Sequence, residues 1–166
     1  GIPAEASELL LAAAADLAES DRRRALYIYG LACIAAGYSG RGDTVGGIAR
    51  RAAELPADDA VGRFLSHFVA GMGAYFDADF ADAAQKFRVA LDCADEADAA
   101  ASVAYRGVLL LAGGAGLFLG DDRAADRLNR RLAFRAREAG HVPLLTQALP
   151  RLALAEITAG HLPTAA

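Results

Sequence analysis

Apolar residues recur along this chain at intervals of three and four, the spacing of one face of a helix, and period-two alternation is almost absent. The clearest stretch is 60–95, AVGRFLSHFVAGMGAYFDADFADAAQKFRVALDCAD, which reads as two antiparallel helices joined at Asp77-Ala78-Asp79. Small residues (Gly71, Ala83, Ala84, Ala90) stand where the helices must approach, and large apolar ones (Phe68, Tyr75, Phe80, Phe87, Leu91) fill between them. The remainder reads as imperfect copies of this hairpin. Turns phased at Gly40, Ala78, Gly120 and Gly160 are spaced by about 40 residues, within the range of helical-pair repeats.

Taken in order, the pattern predicts a first helix over 4–19, whose partner is not in the chain before it, and a second from the N-cap Ser20-Asp21 to Gly37, apolar over most of its circumference. A third helix runs over 43–55, stopped by Pro56, with Gly46-Gly47 inside it as a close-packing or frayed point. After the central hairpin a long helix is expected from Asp98 to about Leu119, then one opening on Asp121-Asp122 and ending near Ala139 before the C-cap Gly140. The last, 142–159, has Pro143 in its first turn and Pro150 inside, which predicts a kink or a break into two pieces. The expected fold is all-α: a tetratricopeptide-like, right-handed superhelix of about eight antiparallel helices, forming a single domain over 1–166 with repeats at 21–56, 58–96, 98–140 and a partial 142–166. Both ends read as cuts through a longer array, with apolar faces near Leu10 and Leu17 and near Leu152 and Ile157 left for self-association.

Composition narrows the function classes. The chain of 166 residues is 55% hydrophobic and carries a net charge of −4, which gives no reason to expect nucleic-acid or anionic-membrane binding. Lys86 is the one lysine, so the arginine excess reads as coding bias toward high GC. The arginines of 123–137 spread around their helix and read as a solvated face with pairs such as Asp126 to Arg130. Cys33 and Cys93 show no metal or disulfide spacing and read as small buried hydrophobes in a cytoplasmic chain. The apolar run 108–119 is too short to span a bilayer, which needs about 20 residues, so no membrane is expected as a partner.

Motifs of chemistry are sparse. LAGGAG at 111–116 lacks the GK[ST] ending, the dinucleotide spacing and a preceding strand, so it reads as close helix packing. The tripeptide Arg41-Gly42-Asp43 reads as a chance match to an integrin ligand. His67, His141 and His161 are isolated, and Ser66-His67 point about 100° apart on a helix, which argues against a dyad. The expectation is a chain that is not an enzyme and holds no cofactor or metal.

The segments ASELLLAAAADLAESD, FLSHFVAGMGAYFDADFADAAQKFRVALDCADEAD and LFLGDDRAADRLNRRLAFRAREAGHVPLLTQALPRLALAEITAG together resemble the middle region of large ATP-binding LuxR-type transcriptional regulators of high-GC bacteria, whose layout is related to that of the maltose-regulon activator. That family places a nucleotide-binding domain before its tetratricopeptide-like region and a helix-turn-helix after it. No Walker A lysine and no recognition helix occur here, so ATP and DNA enter only through domains absent from this chain. The resemblance implies a regulatory region that receives a protein, peptide or apolar small-molecule effector and controls assembly of the activator; the alternatives are a free-standing protein-binding adaptor and, third, a small-molecule enzyme. The expected receiving surface is a concave apolar groove on the first helices of the hairpins: Tyr27, Ile34, Leu65, Phe68, Met72, Tyr75, Leu110 and Leu117, thinned by Gly30, Gly71, Gly107 and Gly114.

Overall fold

The computed structural model describes residues 2–101 and 107–158, and these form eight α-helices with no strand among them. They are α1 (Ile2–Leu17), α2 (Arg22–Tyr38), α3 (Val45–Ala53, entered through a 3-10 turn at Gly42–Thr44), α4 (Ala60–Phe76), α5 (Phe80–Ala100), α6 (Val108–Leu119), α7 (Asp122–Glu138) and α8 (Val142–Thr158). The expected turn at Gly160 and the expected helical Tyr105 lie outside the described residues.

Local signals act where the sequence places them. Aspartates cap four helices, Asp21, Asp59, Asp79 and Asp121 each accepting the N–H three residues on, at 3.1, 2.8, 3.0 and 2.9 Å. Four helices end in the same C-terminal device. A residue at positive φ (Gly40, Ala78, Gly120, Gly140) is followed by an N–H that reaches back five residues: Arg41 to Ala36, Asp79 to Ala74, Asp121 to Gly116 and His141 to Ala136, all at 2.8–2.9 Å. This is the Schellman arrangement. Ala78, at φ 62°, is the only one of the four that is not glycine.

Two boundaries differ from expectation. Asp98 does not begin a helix; it lies in the last turn of α5, which runs on to Ala100 because Ala94, Ala97 and Asp98 continue its buried face. Pro150 does not split its helix, and α8 is continuous from Val142 to Thr158. It sits on the exposed side, where the ring meets solvent and the lost hydrogen bond leaves a carbonyl that water can reach.

The helices pack as hairpins, α2 with α3, α4 with α5 and α6 with α7, while α1 lies along α2 and α8 along α7. Between hairpins, α3 lies on α4 and α5 on α6. The centre is aromatic. Phe87 of α5 lies in the space Gly71 leaves on α4, where a methyl group would stand 2.7 Å from its ring. Its ring stacks on Phe118 at 5.4 Å and meets Phe68 at 6.1 Å, and Phe68 in turn meets Phe64 at 6.2 Å. Gly73 admits Ala49 of α3 in the same way, at 2.5 Å from such a methyl. Cys33 is buried and Cys93 half-buried, both as free thiols.

Candidate functional site

Half of the surface expected on the first helices of the hairpins is interior. Leu65 and Phe68 are 0% exposed, Met72 1% and Leu110 5%. Tyr27, Ile34 and Tyr75 are half-buried, and of the eight residues only Leu117, 41% exposed, stands at the surface. The reason is the approach of α2 to α6 across α4. A methyl at Gly30 of α2 would lie 3.3 Å from Leu111 of α6 and 3.6 Å from Phe68 of α4, and one at Gly107 would overlap the Tyr27 hydroxyl. Glycines expected to thin the wall of a groove instead let three helices close on one another; Gly114 alone among them faces open space. Leu65, Phe68, Met72 and Leu110 are thus core residues and line no groove. At the turn end the interior reaches the surface through Tyr75, whose ring meets Phe118 at 4.9 Å and Phe80 at 5.6 Å edge-on.

The LAGGAG segment is the buried floor of the α6/α7 contact. Methyl groups at Gly113 and Gly116 would lie 2.8 Å from the Asn129 amide and 2.9 Å from the Ala125 nitrogen. Asn129, 2% exposed, donates to the Ala125 carbonyl at 2.8 Å.

The outer side, between α5 and α7, is where open space and charge coincide. Two cavities lie along this seam. One, of about 780 Å³ at the turn end, is bounded by Arg88, Leu91 and Asp92 of α5 and by the chain from Leu119 to Ala124. The other, of about 420 Å³ at the far end, has an apolar wall of Leu109, Leu132 and Leu144 facing Asp98, Arg135, Glu138 and His141. Between them stands a ladder of ion pairs. Asp95 receives Arg127 at 3.2 Å and Arg131 at 2.6 Å; one turn on, Asp98 receives Arg135 at 2.7 Å and faces Arg131 at 3.5 Å. Partial burial acts to raise the pKa of Asp95, but the hydrogen bonds and positive charges of Arg131 and Arg127 outweigh it and hold the carboxyl below its ordinary value.

This ladder revises the reading of the α7 arginines. Arg130 does make the expected pair with Asp126, at 2.8 Å, and it also reaches Glu156 of α8. Arg127, Arg131 and Arg135, however, tie α7 to α5. Their spacing of four, which places them on one side of a helix, was the available signal. Both carboxylates of the ladder come from α5, whose last turn holds Asp98.

At the head of α8, His141 accepts the Leu144 N–H through Nδ1 at 3.3 Å, an N-cap made by an imidazole. His67 is half-buried on α4, and burial together with the charge of Lys86 lowers its pKa. Among the described residues no three His, Cys, Asp or Glu side chains gather in a way that would hold a metal ion, and no helix is long and apolar enough to cross a membrane. No family model and no curated protein matches the chain.

Proposed function

We propose that this chain is a binding region rather than a catalyst: a tetratricopeptide-like, right-handed array of helical hairpins that receives a protein, peptide or effector and controls the assembly of a cytoplasmic LuxR-type transcriptional activator. The observation that carries the reading is the order of packing. Each second helix lies on its own partner and on the first helix of the next hairpin, α3 on α4, α5 on α6 and α7 on α8. This order supports the reading because a helical-repeat array is built on nearest-neighbour contacts, and such arrays serve as binding scaffolds. Exposed apolar side chains on α8, Val142, Leu149, Leu154 and Ile157, add a surface of the kind that marks protein contacts. A groove on the first helices is not part of this proposal, because four of its eight expected residues, Leu65, Phe68, Met72 and Leu110, are core.

The sequence of the complete gene product supplies the test. A GK[ST] phosphate loop upstream and a helix-turn-helix downstream are expected. Finding neither would overturn the regulator and leave the free-standing adaptor, for which the same packing order speaks equally.

A further inference from the structure

The joints between neighbouring hairpins are both packed on apolar side chains and differ in the charge along their outer edges. The joint of the first and second hairpins packs on small side chains, with Ala49 of α3 set against Gly73 of α4 beside a cavity of about 520 Å³ that no ion pair among the described residues crosses. At the next joint α5 packs on α6 through the stack of Phe87 on Phe118, but the outer helices, α5 and α7, are separated by the two cavities of the seam. Among the described residues, every hydrogen bond and ion pair between α5 and α7 belongs to the ladder of Asp95 and Asp98 with Arg127, Arg131 and Arg135.

The two rungs are unequal. Asp95 and Arg127 have side chains 61% and 49% exposed, so dissolved ions reach that rung. Asp98 is 6% exposed and is gripped from two sides, so its rung is far less screened. Charge, unlike apolar packing, weakens with ionic strength.

We propose that the ladder is an ionic latch: it holds the outer helix of the third hairpin against that of the second, and screening of the Asp95 rung lets the seam widen from its turn end, with the Asp98 rung as the pivot. The larger cavity, beside Arg88 and Arg123, is then the part of the seam that changes size. The latch concerns one joint and stands whether or not the chain belongs to a regulator.

Spin labels at Arg88→Cys and Arg123→Cys read the width of that cavity directly. They are placed in a Cys93→Ala background, since Cys33 is buried and its thiol is pushed up to about 12, out of reach of the label. Pulsed dipolar distances are recorded from about 0.01 M to about 1 M sodium chloride, over which the screening length falls from about 30 Å to about 3 Å. The distribution is expected to move to longer distances and broaden as salt rises, while helix content by circular dichroism stays constant. Adding Arg127→Gln and Arg131→Gln should give the long distance already at low salt and abolish its salt dependence; if that variant does not fold, Asp95→Asn makes the same test on the outer rung. A label distance that stays unchanged across the salt series in the parent chain overturns the latch.

Discussion

Phe87 is the residue on which most of the interior converges, because three rings and one missing side chain meet there. Fully buried between Phe68, Phe118 and Gly71, it cannot be truncated without leaving a cavity that α4 and α5 are too closely packed to fill. Phe87→Ala should cost about 3–5 kcal/mol in denaturant melts; a loss below about 1 kcal/mol would contradict the packing. The two thiols offer a second measurement. Burial raises the Cys33 thiol to about 12 and closes it off, whereas Cys93 is only half-buried, so a thiol reagent near neutral pH should modify one cysteine in the native chain and two after denaturation. Both Phe87 and Gly71 were legible in the sequence as a large residue and a small one phased to meet. Cys93, expected buried, packs against the core but is only half-covered, since the period of an amphipathic helix identifies a face but not how far its edge is covered.

At the scale of elements, the helix ends were written locally and the charges were not. The aspartate caps and the glycines at 40, 120 and 140 follow from short-range chemistry that any observer of the sequence can apply. Ala78 occupies the same left-handed position with a β-carbon, which costs about 1 kcal/mol. Ala78→Gly should therefore stabilise the protein by a similar amount, seen as a higher denaturation midpoint at unchanged slope. The ladder between α5 and α7 is the opposite case. Asp98, buried and paired with two guanidinium groups, should lose about 1.5–3 kcal/mol on conversion to alanine, the range of hydrogen bonds to charged groups. For Asp95 the sign in pH follows from its lowered pKa: its stabilising contribution is complete above the carboxyl's unfolded value and is lost as pH falls through the folded one. Asp59, lowered by the Gly62 N–H and by Arg23 against the opposing effect of burial, acts in the same direction. Acid melts of Asp95→Asn should accordingly show a shallower loss of stability below the ordinary carboxylate range than the parent does.

For the molecule as a whole, α8 exposes Val142, Leu149, Leu154 and Ile157 at 63, 41, 54 and 49%. A face of this kind favours association. Sedimentation should show mass rising with concentration, and Leu154→Glu should reduce the rise; a strict monomer at high concentration would count against it. The sequence by itself determined the helices, their caps and turns and the pairing of Phe87 with Gly71, because these depend on the spacing of side chains within one helix or across one short turn. Tertiary structure alone decided that Leu65, Phe68, Met72 and Leu110 are core and not a groove, and that Arg127, Arg131 and Arg135 face Asp95 and Asp98. Periodicity reports which side of a helix is apolar and never how closely the helix after next will approach. That distance, between α2 and α6 and between α5 and α7, separates a surface from an interior and a solvated arginine from a latch.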